Sequence, residues 1–120
     1  MKTEDINEGN RLIAEFMGIE SYESGGYTNF IYSDDNHRTH VDLGYHESWG
    51  WLMPVVEKIE GIEDADGEMY DVRIMGNDAE IVTFDGDVII QMGVYDPKSS
   101  KIDAVWMTIV DFIKWYNQNK

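Results

Sequence analysis

Residues 69–94 read MYDVRIMGNDAEIVTFDGDVIIQMGV, and this stretch decides the fold class. Met69 to Met75 alternates, with Tyr70, Val72 and Ile74 on one face, as the two-residue period of a strand requires. Gly76-Asn77-Asp78 is turn chemistry. Glu80 to Phe84 predicts the next strand. Asp85-Gly86 suits a tight two-residue hairpin turn, because glycine tolerates positive φ. Val88 to Val94 predicts the third strand. Three strands joined by short turns describe an antiparallel meander.

On the C-terminal side, Asp96-Pro97 ends the meander and Ser99 or Ser100 caps a helix. Ile102, Val105, Trp106, Ile109, Val110, Ile113 and Tyr116 recur at intervals of three and four, with Asp103, Asp111 and Lys114 off that stripe. On the N-terminal side, Ser48 opens a helix running to Glu60 and closed by Gly61, with Leu52, Met53, Val56 and Ile59 as its apolar stripe. Pro54 removes a backbone donor and clashes with the carbonyl four residues earlier. The segment either kinks or is a short turn carrying Trp49 and Trp51, followed by a helix from near Met53.

Earlier still, Tyr27 to Tyr32 and His37 to Leu43 predict a hairpin around the turn residues 33–36, after a break at Ser24-Gly25-Gly26. Thr3 can cap a first helix, with Glu4 and Asp5 in its first turn. Ile6, Asn10, Ile13 and Met17 follow helical spacing, with Leu12 and Phe16 widening the stripe. Gly9 weakens the middle of this helix, which therefore depends on docking, and Gly18 suits its end. The expected order is α-β-β-α-β-β-β-α. That is a single α+β domain over residues 1–120: a layered sandwich with a mostly antiparallel five-stranded sheet packed by three helices.

The chain has 120 residues and no cysteine, so it offers neither a disulfide framework nor a thiolate metal site. No apolar run approaches the ~18 residues of a membrane span. The start MKTEDINEGN lacks the apolar stretch of a signal peptide, so a cytoplasmic setting is expected. Nine basic residues stand against 24 acidic ones, a formal charge of −15. That charge repels phosphates and disfavours both nucleic acid and anionic lipid as partners. It serves solubility, or it forms a surface for a basic partner.

The acids are uneven. Glu57, Glu60, Glu63, Asp64, Asp66, Glu68 and Asp71 fall within fifteen residues, with Lys58 the only base in the run before Arg73. Such a run is either a solvated loop or a docking patch for an Arg- or Lys-rich protein, where charge raises the on-rate. Asp64-Ala65-Asp66-Gly67-Glu68 has a superficial likeness to a calcium loop. With Gly67 at the sixth position, Ile62 and Arg73 fall where ligands are needed, so the likeness fails. Trp49 and Trp51 lie two apart and cannot both face one way on a helix turn. One belongs to the core, and the other is a candidate contact residue. His37, His40 and His46 cluster with Asp34, Asp35, Asp42 and Glu47, but their spacing fits metal-ligand patterns loosely. No nucleophile elbow and no phosphate loop is present in the sequence.

Leu12 to Gly18 (LIAEFMG), Tyr45 to Glu60 (YHESWGWLMPVVEKIE) and Lys101 to Asn119 (KIDAVWMTIVDFIKWYNQN) together resemble a family of small uncharacterised proteins from gut bacteria and their phages, similar to those grouped as phage ABA-sandwich domains. The match covers the helical segments, and the strands between them carry no shared motif. The resemblance implies a sheet between helical layers and a phage or prophage setting. It implies no activity, cofactor or catalytic residue.

The leading expectation is a non-enzymatic accessory protein that binds a basic protein partner. Its binding residues are the seven acids named above together with Trp49 and Trp51, and it needs no cofactor. One alternative is a nucleic-acid mimic that inhibits a DNA-binding defence enzyme, which requires carboxylates ranged along one face at phosphate spacing. The other is a metal-dependent enzyme centred on His37, His40 and His46. Oligomeric state is left open.

Overall fold

The first apolar stripe folds as helix α1 (Thr3–Phe16) in a computed structural model that describes residues 2–64, 66–83, 86–91 and 100–119. Thr3 is not the cap. Lys2 occupies that position, and no side chain satisfies the first amides. After the last turn Gly18 adopts φ +75°, a left-handed conformation that costs glycine no Cβ clash.

Strands β1 (Ser21–Ser24), β2 (Tyr27–Ser33) and β3 (Asn36–Thr39) follow as an antiparallel sheet in that order. The expected hairpin is β2–β3, with Asn29 opposite Thr39 and Ile31 opposite His37. Its return strand stops at Thr39 rather than Leu43. There the Asp42 amide donates to the Thr39 carbonyl, and Leu43 turns into the core. Strand β1 is additional to the expected set. Its sequence SYES is short and exposed at all four positions, so it carries no alternation to read. Gly25 and Gly26, expected as a break, form the tight turn between β1 and β2, with φ of +62° and +79°.

Helix α2 (Trp49–Glu60) is continuous through Pro54 and begins directly after Ser48. The proline leaves the Gly50 carbonyl without its usual donor, and the exposure of Gly50 opens that carbonyl to water. The meander is present as β4 (Asp71–Met75), β5 (Asp78–Val82) and β6 (Val88–Gln91). Between β5 and β6 the Thr83 amide donates to the Asp87 carbonyl at 2.9 Å, and the expected strand end at Phe84 and the turn residue Asp85 lie outside the described residues. Gly86 supplies the positive φ there. The expected strand end at 92–94, Asp96-Pro97 and Ser99 lie outside the described residues. Ser100 caps helix α3 (Lys101–Asn119) reciprocally: its hydroxyl accepts from the Asp103 amide, and the Asp103 carboxylate accepts from the Ser100 amide.

The class is α+β, but the strands form two three-stranded antiparallel sheets instead of one five-stranded sheet. The start of β4 is engaged by the end of α2 and the loop after it. The Val72 amide donates to the Glu60 carboxylate, the Tyr70 amide donates to the Ile62 carbonyl, and Glu63 bridges Met69. These contacts cover the entry to β4 and one of its amides, and among the described residues no strand of the first sheet pairs with it. The two sheets meet the three helices in one apolar cluster that includes Phe30, Leu52, Ile59, Ile81, Ile109 and Phe112.

A buried amide crosses this cluster. Asn10 is 1% exposed. Its Oδ1 accepts from Trp106 Nε1–H at 2.8 Å, and its Nδ2 donates to the Leu43 carbonyl at 3.1 Å. Indole N–H can only donate and a carbonyl can only accept, so the orientation of the amide is fixed. The remaining Nδ2 hydrogen faces His46 Nδ1 at 3.0 Å, which must accept it. The His46 ring proton therefore sits on Nε2. Beside Asn10, Gly9 lets the Trp106 ring lie against the α1 backbone, where any Cβ would overlap the ring.

Asn10→Leu strands the Trp106 donor and the Leu43 acceptor, and is expected to cost roughly 2–4 kcal/mol in urea unfolding. Gly9→Ala is expected to cost about 1–3 kcal/mol although alanine is the better helix former, because the ring has to move. A neutral or stabilising Gly9→Ala would refute the close α1–α3 contact.

Candidate functional site

The acidic run begins in the last turn of α2 and continues through a loop that the chain folds tightly. Asp64 organises it. Its Oδ1 accepts from the amides of Asp66 and Glu68 at 2.8 and 3.0 Å, and its own amide donates to the Glu68 carbonyl at 2.6 Å. Gly67, at φ +81°, makes the reversal possible. An aspartate does this because its short carboxylate reaches amides two residues on. Asp64 is therefore committed to shaping the loop.

Glu60 and Asp71 are committed to the junction of α2 and β4. Glu60 accepts the Val72 amide at 3.5 Å and lies close to Asp71, with which it can share a proton only when one of the two carboxyls is protonated. Burial holds the Glu60 carboxyl above its ordinary value of 4.5, the charges of Asp71 and Glu57 add to this, and the Val72 bond opposes it. Asp71 also pairs with Arg73 at 3.2 Å, and Arg73 reaches across to its register partner Glu80 at 3.9 Å.

Four of the seven acids remain: Glu57, Glu63, Asp66 and Glu68. All are exposed, and among the described residues none of their carboxylates has an ion-pair partner. The base within the run points elsewhere. Lys58 donates to the Phe16 carbonyl at the end of α1, and its ammonium lies 4.8 Å from the centre of the Phe16 ring. The loop thus presents carboxylates without an internal counter-ion.

The tryptophans lie at the other end of α2. Eleven residues separate Trp49 from Glu60, about 16 Å along the helix axis. The structure does not bring the two halves of the expected binding set into one contact point. Trp51 packs into an aromatic group, edge-on to Tyr32 at 5.3 Å and to Tyr45 at 5.1 Å, with the Arg38 guanidinium 5.0 Å from its ring. Tyr32 and Tyr45 hydrogen-bond through their hydroxyls at 2.8 Å. Burial pushes both phenols up from their ordinary value of 10.0. Trp49 is the more exposed of the pair, at 37%, and Trp51 is half-buried.

The histidines have separate tasks. His37 meets the Tyr22 hydroxyl at 3.0 Å, His40 Nδ1 accepts the Thr28 amide at 3.2 Å, and His46 faces Asn10. They do not converge, and among the described residues no group of three His, Asp or Glu side chains is placed to hold a metal ion. No helix among the described residues is long and apolar enough to cross a membrane.

Sequence reading missed Asn10 as a structural centre and the Glu60–Asp71 pair. The first had a signal, an amide side chain inside an otherwise apolar stripe. The second had none, because its members pair only after α2 and β4 have packed. No protein-family model, curated protein or solved structure matches the chain.

Because folded Glu60 holds its proton more tightly than the unfolded chain does, its contribution is present below about pH 4.5 and is lost as pH rises through the raised value. Glu60→Gln keeps an acceptor for Val72 without the charge. It is expected to be more stable than the parent at pH 7, with the gain vanishing below about pH 4.5. Thermal melts of the two proteins across that range check this, and parallel curves would contradict it.

Proposed function

We propose that this chain is an accessory protein of phage or prophage type, working in the cytoplasm by binding a basic protein through its acidic surface. The phage setting rests on the resemblance of the three helical segments. The binding reading rests on one observation above the others. Glu57, Glu63, Asp66 and Glu68 are presented on a helix end and a tightly folded loop, while the neighbouring Lys58 is turned away toward Phe16. Neutralising such a surface with an internal lysine would have been simple, and its lysine lies elsewhere. Unpaired carboxylates on a shaped loop steer a cationic partner at long range and fix its register at contact.

The test is affinity capture from a bacterial lysate by the native chain and by a variant carrying Glu57→Gln, Glu63→Gln, Asp66→Asn and Glu68→Gln. Asp64 is kept because it holds the loop. A partner retained at low salt, released on raising the salt and absent with the variant is the expected result. A partner that binds both chains equally, or none that responds to salt, counts against the proposal.

A further inference from the structure

The first sheet turns one face to the core and the other to solvent. Thr28 and Phe30 point inward from β2. Their register partners go with them. Glu23 accepts from the Thr28 hydroxyl at 2.8 Å, and Arg38, opposite Phe30, lies over Trp51. Strand alternation sends the residues between them outward. Tyr22, Asn29 and Thr39 form one cross-strand row, Ile31 and His37 the next, and Ser24 and Tyr27 the row at the hairpin end.

Two phenol rings stand out on this face, Tyr22 at 41% and Tyr27 at 47% exposure. Both are held. The Tyr22 hydroxyl bonds His37 Nδ1 at 3.0 Å across β2, and the two rings meet edge-on at 5.7 Å. Tyr27 lies against His40 at 5.8 Å. His40 is itself fixed to β2: its Nδ1 accepts the Thr28 amide, and its own amide donates to the Thr28 carbonyl. Tyr22 and Tyr27 are diagonal neighbours on adjacent strands, a spacing of about 7–8 Å. Ordering such rings within the fold lowers the entropy lost when a ligand settles on them.

The chemistry around the rings is neutral. Ser24 is exposed, and Asn29 and Thr39 are half-buried, so the face offers hydroxyl and amide groups. Among the described residues, no carboxylate, lysine or arginine of β1, β2 or β3 faces outward, in a chain where 24 of 120 residues are acidic. The nearest acids stand at the margins. Glu20 precedes β1, its carbonyl accepting from the Ile31 amide, and Asp34 and Asp35 lie in the turn between β2 and β3.

We infer that this face binds a neutral saccharide chain, with the Tyr22 and Tyr27 rings stacked on sugar rings and Ser24, Asn29 and Thr39 bonding sugar hydroxyls. A sugar ring joins an apolar C–H face to a rim of hydroxyls, and the outer face of the sheet sets aromatic surface beside neutral donors and acceptors. Charge decides against other occupants. Nucleic acid also stacks on aromatic rings, but the net charge of −15 and the marginal acids repel its phosphates. A basic segment finds no carboxylate among the rings to pair with. An apolar protein surface would strand the polar groups of Asn29 and Thr39. A neutral chain is indifferent to the field. The inference is independent of the acidic loop, which follows α2 and contributes no residue to this sheet.

Native gel electrophoresis through soluble neutral polysaccharides tests this, with glycogen, mixed-linkage β-glucan, arabinoxylan and galactomannan as probes and a plain gel as reference. The native chain is expected to be retarded by at least one of the four. Tyr22→Ala with Tyr27→Ala is expected to weaken that retardation roughly tenfold or more. Tyr22→Trp with Tyr27→Trp keeps the rings and should preserve it. A variant carrying Glu57→Gln, Glu63→Gln, Asp66→Asn and Glu68→Gln should be retarded as the native chain is.

Retardation by none of the four polysaccharides overturns the inference. Retardation that survives the double alanine change, or that both the alanine and the tryptophan variants lose, also overturns it, because the rings then do not act as the platform. Loss in the acidic-loop variant would move the site to that loop and overturn it too. Absence of retardation, with the native chain eluting as a dimer and the double alanine variant as a monomer in size-exclusion chromatography, would assign the face to a second copy of the chain instead.

Discussion

One buried amide organises this molecule. Asn10 joins α1 to α3 through Trp106 and joins both helices to the segment 43–46 that leads from the first sheet into α2. Three polar groups from distant parts of the chain enter an apolar interior, and each would carry a desolvation penalty if left alone. The amide satisfies a donor, an acceptor and the imidazole at once. Hydrophobic burial holds the helices together, but it tolerates sliding. The directional bonds do not, so they select one relative placement of α1, α3 and the start of α2. Gly9 belongs to the same device, because only a glycine lets the indole lie close enough for Asn10 to reach it.

The charge of −15 acquires a structure once its neutralising partners are traced. Arg73 is drawn into the Asp71–Glu80 pair on the second sheet, Arg38 to Trp51 and Asp42, Arg11 to Glu15, and Lys58 to Phe16. These contacts place positive charge on sheet faces and between helices. They leave the carboxylates of Glu57, Glu63, Asp66 and Glu68 around the loop after α2 without an ion-pair partner among the described residues. Uneven pairing, more than the total count, gives the surface its character. A uniform excess of acid would give solubility alone.

The helices were legible because their burial is periodic: the α3 stripe repeats a facing requirement several times, and repetition is what a sequence pattern records. The second sheet was legible from its strand-forming residues and turns more than from burial, since Ile74 of the expected inward face is exposed and β5 is buried at four consecutive positions. The first sheet was half legible. Thr28 and Phe30 turn inward on β2, whereas β1 lies at the edge with every side chain in solvent and leaves no mark. The division into two sheets was not legible, because no local pattern records which strands pair across α2. Of the candidate site, the acidic run was plain, but the division of labour within it was not. Asp64 shaping the loop, Glu60 and Asp71 bracing a junction and Lys58 facing away are facts of geometry. Trp49 and Trp51 part company, as a two-residue step on a helix requires, but neither is a core residue: Trp49 is exposed and Trp51 is half-buried against the core.

The same hub has a consequence in time. Trp106 and Asn10 are 96 residues apart in the chain. Helix α1 is synthesised first, yet alone it has an uncapped start and a glycine near its middle, features that leave a helix of this length marginal in water. It has to wait, largely unformed, until α3 exists to clasp it. Helix formation at the beginning of the chain and sheet formation in the middle are thus tied to one late closure. A closure across 96 residues carries a loop-entropy cost that local contacts within α1 do not offset.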